Sequence, residues 1–353
     1  MTVSPFDHPY LSGLLGDEEV AGLFSVASEL EAMLAFEVAL ARAQAAKGIV
    51  PLSSALTIVT AARRFAPDVA ALRQATARDG VVVPELVRQF RQFIPEDDAP
   101  HVHVGATSQD VIDSGLMVRL SRAAPILVER LRRIMAGLNE LDARHGGRVL
   151  TGRTRMQAAI DITVADRLST WRRPVENHLE RLGFVIERRF PLQFGGAAGT
   201  LEAFGEKGEG VRALLADALS LADVPQWHSQ RERLADFANL LSLITGSLGK
   251  LGQDIALMVQ DGREIVLAGG GSSSSMPHKH NPVAAEVLVT LARFNATALG
   301  GLHQTLVHEQ ERSGSAWTLE WMLLPQMVVA AGASTRLATG LVASIDDIGR
   351  RHE

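Results

Sequence analysis

Thr107, Ser108 and Gln109, within the run Gly-Ala-Thr-Ser-Gln-Asp at 105–110, put two hydroxyls and an amide at the start of a predicted helix. Free backbone N–H groups and the helix dipole make such a place favourable for an anion. A plainer reading is that Thr107 caps the helix, with Asp110 three residues on. Gly-Arg-Thr-Arg-Met-Gln at 152–157 sets Arg153 and Arg155 around Thr154; alone these are anion contacts or surface charge. Gly-Gly-Ala-Ala-Gly-Thr at 195–200 reads as a small-residue turn or a close helix contact. Residues 269–282 pose a question. Three glycines and four serines suit a solvated spacer. A spacer has no use for the basic, turn-forming Met276-Pro277-His278-Lys279-His280-Asn281-Pro282 that follows at once.

Two His-x-His pairs, His101/His103 and His278/His280, invite a metal site. Neither encloses an acidic residue, and no His-Glu-x-x-His pattern occurs. No metal is expected.

These residues must be held by helices. Leu234, Phe237, Leu241, Ile244, Leu248, Leu251, Ile255 and Met258 are spaced alternately three and four apart, a two-position heptad seam. Ser229 and Glu232 form a capping-box pattern before it, and Gly262 is a natural stop. A helix of this length spans roughly 45 Å and needs partners along all of it. A second long helix is predicted over 109–144, with Pro125 as a possible kink. A third begins at 281, with Asn281 as N-cap and Pro282 at the first helical position. Residues 19–47 read as another, closed by Lys47-Gly48. Few stretches alternate apolar and polar residues, so the fold class is all-α. An N-terminal helical region over 1–105 precedes a bundle of long helices over 106–340. Residues 341–353 read as the remnant of a further domain.

The chain has 353 residues, 46% hydrophobic, 21% charged and only 5% aromatic, which suits cores of small aliphatic side chains. A net charge of −5 offers no basic field for nucleic acid. With no cysteine, disulfides and thiolate metal sites are excluded. No signal-peptide pattern appears at the N-terminus. The longest apolar run, Trp321 to Ala333, is broken by Pro325 and Gln326, so no membrane span is expected. A cytoplasmic protein follows.

Together the clusters resemble the fumarase/aspartase superfamily. Its signature loop, Ser-Ser-x-Met-Pro-x-Lys-x-Asn, matches Ser273, Ser274, Met276, Pro277, Lys279 and Asn281. The stretches at 105–110, 152–157 and 195–200 fall in the family's order and approximate spacing, over almost the whole chain. The resemblance implies a fold whose long central helices form a bundle shared in a homotetramer, with active sites drawn from three subunits. It implies that the first signature serine, Ser273, moves the proton on carbon; the run of four serines keeps Ser274 as the neighbouring register. It gives Lys279 the stabilisation of an anionic intermediate, and it anchors the loop through Asn281. On this reading the glycines let the loop close over substrate. It brings Thr107, Ser108, Gln109, Arg153, Thr154, Arg155, Gln157 and Arg312 to a small polyanionic substrate, with no cofactor. For Arg312 a surface ion pair with Glu309 or Glu311 is the plainer reading. The family usually continues into a third helical domain, which this chain does not reach.

The family's step moves a proton next to a carboxylate, and an enolate-like dianion expels a group from the adjacent carbon. Members that expel nitrogen, such as adenylosuccinate and argininosuccinate lyases, carry a histidine in the second motif where this sequence has Arg155. A departing amine benefits from a general acid, and arginine is a poor one. A carboxylate, with a pKa of about 4, departs without a proton. The resemblance therefore points to addition of a carboxylate across a double bond within one molecule. The implied reaction is lactonisation of 3-carboxy-cis,cis-muconate, as in protocatechuate breakdown by the beta-ketoadipate pathway, or of a 3-sulfomuconate-type analogue. Alternatives are another lyase of the superfamily or a crystallin-like structural protein without catalysis. In the family a glutamate five residues after the signature asparagine supports the missing histidine. That residue is Glu286, and it is expected to pair with Arg155 across a subunit boundary.

Overall fold

The computed structural model describes residues 3–272, 275–276 and 280–350. Its helices are α1 (Ser12–Leu15), α2 (Glu18–Gly22), α3 (Val26–Ala46), α4 (Leu52–Ala62), α5 (Val69–Asp79), α6 (Val83–Phe93), α7 (Ser108–His145), α8 (Val164–Arg188), α9 (Gly208–Ala218), α10 (Glu232–Asp261), α11 (Val283–His303) and α12 (Ser315–Ala343). The all-α expectation holds, with two short antiparallel ribbons added. Strand β1 (Val149–Thr154) pairs with β2 (Gln157–Thr163), and β3 (Ile265–Leu267) with β4 (Ile345–Ile348).

Five helices form a closed ring: α7 packs on α8, α8 on α10, α10 on α11, α11 on α12, and α12 back on α7. The predicted seam is the reason. Every one of its residues from Leu234 to Met258 is buried. On α7 the residues Ile112, Leu120, Leu127, Ile134 and Leu141 are buried in the same core. Pro125 lies inside α7 without ending it. Ahead of the ring, α3 packs on α7, α4 and α9.

Local details differ from the sequence reading. The capping box at Ser229 does not form: α10 starts at Glu232 with Arg231 in the cap position and no side-chain cap, because Arg231 is drawn into the core. The helix expected over 19–47 is two, α2 and α3, since Ser25 caps α3 with extended backbone. Helix α11 starts at Val283, with Pro282 at its cap. Asn281 instead exchanges two backbone hydrogen bonds with Gly271, both 2.9 Å, which pins the two ends of the 272–280 segment together. The membrane expectation also needs amendment. The stretch Val283–Leu306 is long and apolar enough to cross a bilayer by length and composition. Here it packs against α10 and α12, as bundle helices do.

Ile244 is fully buried at the middle of the seam. Ile244→Ala is expected to cost about 2–5 kcal/mol. A urea midpoint unchanged from wild type would show that the seam does not carry this stability.

Candidate active site

Asp110 gathers three separate segments. It lies buried in the first turn of α7, where Thr107 is the cap residue and donates its N–H to Oδ2 at 3.0 Å. Gly195 N–H donates to Oδ1 at 2.9 Å and Gly196 N–H to Oδ2 at 3.0 Å. His228 Nε2 lies 2.9 Å from Oδ1. The stretch at 195–200 is therefore a backbone cradle for a carboxylate. Gly196 has φ +72°, and a Cβ there would sit 2.9 Å from the Gly105 carbonyl. Gly105 has φ +69°, and its Cβ would strike the Phe204 ring at 2.4 Å. Only glycine fits either place.

One turn along α7, Asp113 meets Arg231. Arg231 Nη1 and Nη2 reach the Asp113 carboxylate at 2.6 and 3.2 Å, while Nε bonds Glu320 of α12 at 2.9 Å and Nη2 bonds its other oxygen. Trp317 Nε1 donates to Asp113 at 2.9 Å, and the Trp227 ring lies 4.6 Å from the guanidinium. All three charged side chains are at most 1% exposed. Burial alone would lower the Arg231 pKa; the two carboxylates outweigh it and raise it. Two carboxylates and an arginine thus tie the beginnings of α7, α10 and α12.

Gln109 joins this cluster to the surface. Its amide N donates to the His228 carbonyl at 2.9 Å and to Asp113 at 3.2 Å, and its oxygen accepts from Arg312 Nε at 3.0 Å. Arg312 also bonds the Ala197 carbonyl at 3.1 Å. The plainer alternative for Arg312, a surface ion pair with Glu309 or Glu311, does not form, because these two acceptors fix its guanidinium above the 105–110 and 195–200 loops. Thr107, Ser108, Gln109 and Arg312 are brought together.

The other predicted residues are elsewhere. Residues 152–157 lie in no helix. They are the tip of the β1–β2 hairpin, where Thr154 pairs with Gln157 across a two-residue loop of Arg155 (φ 47°) and Met156 (φ 67°). Arg153, Thr154, Arg155 and Gln157 are all exposed there, and Arg153 bonds Asp261 at 3.0 Å. Asp261 ends α10, whereas Arg231 precedes its start. Thirty residues at 1.5 Å put these ends about 45 Å apart. Glu286 is exposed in the first turn of α11. Ser273, its neighbour Ser274, and Lys279 lie outside the described residues, as does His278 of the second His-x-His pair. Among the described residues no cluster has the composition of a metal site.

His103 has a carboxylate partner. Its Nδ1 is 2.6 Å from the buried Glu37 carboxylate of α3. Burial pulls its pKa down, but Glu37, with Asp110 adding, pushes it above the usual value.

Sequence reasoning missed Asp113, His228, Arg231 and Glu320. The i, i+3 spacing of Asp110 and Asp113 could have shown two carboxylates near one helix face. Arg231 and Glu320 carried no signal, as charged residues in helices are usually solvated.

The family described as Lyase has a sequence model that matches residues 17–295. The chain belongs to the fumarase/aspartase superfamily. It is 39% identical to a 3-carboxy-cis,cis-muconate cycloisomerase of Pseudomonas aeruginosa, over 92% of this chain and 72% of that protein. The crystal structure of the 3-carboxy-cis,cis-muconate lactonizing enzyme from Pseudomonas putida superposes with a TM-score of 0.89 at 35% identity, covering 96% of this chain and 77% of that one. A fumarate lyase structure from Mesorhizobium sp. BNC1 gives 0.87 at 30%, covering 95% and 76%. This superfamily member therefore has the all-α fold expected of it.

Two outcomes test the site's framework. Arg231→Met leaves Asp113 and Glu320 buried without their cation and is expected to cost about 3–5 kcal/mol; a midpoint within error of wild type contradicts this. For His103 the folded pKa is raised, so its stabilisation is full below the unfolded value of about 6.5 and is lost as pH rises through the folded value. The stability gap between wild type and His103→Asn is therefore expected to shrink from pH 6 to pH 9. A gap independent of pH rejects the ion pair with Glu37.

Proposed function

We propose that this chain closes 3-carboxy-cis,cis-muconate to the 4-carboxymuconolactone, as a cycloisomerase of aromatic-acid breakdown. The carrying observation is Arg155 at the hairpin tip, in the place where nitrogen-expelling members hold a histidine acid. The names of the relatives at 35–39% identity support the same reaction. One substrate carboxylate oxygen bonds to the alkene carbon. The alkene electron pair moves to the carbon beside a second carboxylate, and that carbon takes a proton from Ser273. Lys279 and Arg312 face the negative charge that develops. The step is redox-neutral; Ser273 regains its proton from water, so one proton is taken up per turnover and no cofactor is needed. Holding the nucleophile on the same molecule supplies the proximity that a bound water would otherwise need.

The reading includes a homotetramer in the cytoplasm. Gln109 and Arg312 stand at one end of α10 and Arg153 and Arg155 at the other, so one chain cannot close one site from both. Apolar side chains left open at Ile160, Phe184 and Leu243 offer surface for neighbouring copies. In such an assembly the Arg155 and Glu286 of different copies pair and position the substrate without moving protons. The division at about 105 and 340 is kept as part of the same reading. The chain's N-terminal helices then form one wall of a site that the bundle completes.

Loss of the conjugated diene's ultraviolet absorbance, with purified protein and 3-carboxymuconate, tests the reaction. Turnover is expected with this substrate and not with adenylosuccinate or argininosuccinate. The opposite ranking makes the chain a nitrogen-expelling lyase, and no turnover of any of them favours a non-catalytic role. Ser273→Ala is expected to lose at least about a hundredfold in kcat. Arg155→His is not expected to create succinyl-adduct lyase activity. Light scattering that finds a monomer at micromolar concentration removes the shared site.

A further inference from the structure

A cavity of about 760 Å³ opens between α3, α5, α7 and α12, beside the active cluster but not within it. Phe24, Met33, Leu72, Leu116 and Leu324 give it mainly apolar walls. Its size is that of a small-molecule site. Val26 and Val69, 54% and 48% exposed, stand at its rim.

One donor group in its wall is poorly used. Arg119 is 94% buried, at 6% exposure. Among the described residues its hydrogen bonding is one long contact, from Nε to the Gly115 carbonyl at 3.3 Å. Glu29 approaches Nη2 only to 3.6 Å and is itself 40% exposed on its side chain. A guanidinium has five N–H donors, and the Phe24 face at 5.4 Å takes none of them as a hydrogen bond. Burial accordingly lowers the Arg119 pKa, with Glu29 opposing only in part. The other charges on the lining are Arg73, exposed, and Glu320, already committed to Arg231.

We propose that this cavity binds a monocarboxylate with an apolar body of about bicyclic-ring size, its carboxylate taking the Arg119 guanidinium. A guanidinium this deeply set, with donors left unfilled, gains charge-assisted hydrogen bonds when a carboxylate arrives. The apolar walls exclude a highly charged ligand such as the tricarboxylate proposed for the active cluster. Glu320 is a wall of the cavity and a partner of Arg231, so an occupant would touch the same ion cluster that ties α12 to α7.

The test is calorimetric titration of the purified protein with 2-naphthoate and with uncharged 2-naphthylmethanol. The acid is expected to bind at least about tenfold tighter, the scale of a charge-assisted hydrogen bond. Arg119→Gln is expected to abolish that preference. Arg119→Lys, which keeps the charge but not the planar fork, is expected to retain part of it. Arg312→Ala is expected to leave naphthoate binding intact. Equal affinity of acid and alcohol for wild type overturns the proposal, as does loss of binding in Arg312→Ala, which would place the ligand in the active cluster. Because no turnover is read, failure here leaves the proposed reaction standing, and failure of the reaction leaves this site standing.

Discussion

The carboxylate of Asp110 is the constraint on which the candidate site depends. It takes N–H donors from Thr107, Gly195 and Gly196 and lies against His228, so one side chain fixes three segments that are far apart in sequence. Its place in the first turn of α7 sets it in the positive end of the helix dipole. The loops it holds carry the Ala197 carbonyl, and the helix it starts carries Gln109. These two groups aim Arg312. Remove the carboxylate and the two loops lose the acceptor that brings them within reach of the same guanidinium.

The ion cluster beneath it follows the same logic at larger scale. Helices α7, α10 and α12 run parallel, since Asp113, Arg231 and Glu320 meet near their starts. Three parallel helices bring three positive dipole ends to one place. Two buried carboxylates for one arginine suit that field, where an equal pairing would leave it uncompensated. The surface above, with its free N–H groups and Arg312, remains suited to anions. The packing that fixes the bundle and the field that favours a polyanion thus share one origin.

Much of the fold was legible because it rests on period. The seam of α10 and the apolar positions of α7 repeat every three or four residues and are buried as expected. The signature at 273–281 placed the chain in its superfamily. What was illegible rests on long-range pairing. Arg231 meets Asp113 across 118 residues and Glu320 across 89, and nothing in the local sequence distinguishes them from solvated charges. The β1–β2 hairpin was missed since Gln157–Thr163 is mostly exposed and lacks the alternation of a half-buried strand. Its turn uses arginine and methionine at positive φ in place of the usual Asn-Gly. The caps of α10 and α11 went astray for one reason: Arg231 and Asn281 are engaged in tertiary contacts that override local capping preference.

The hairpin carries a consequence for how the site is assembled. Its tip is held at the far end of the bundle by Arg153 on Asp261, and its base by Glu264, which accepts both the N–H and the hydroxyl of Thr151 at 2.8 Å. Both anchors lie at the C-terminal end of α10 or just past it. The tip therefore cannot swing back toward Gln109 without breaking the ribbon that closes the bundle. For a rigid bundle of this length the proposed sharing of a site between copies needs no such swing. In the homotetramer proposed above, neighbours laid antiparallel along the bundle would bring one copy's hairpin to another's α7 start with no movement inside either. Arg155, exposed at positive φ on a two-residue turn, would in that assembly stand at a fixed height above the neighbouring copy. A short, stiff turn suits a residue that must position charge across an interface, where a longer loop would lose that placement to conformational entropy.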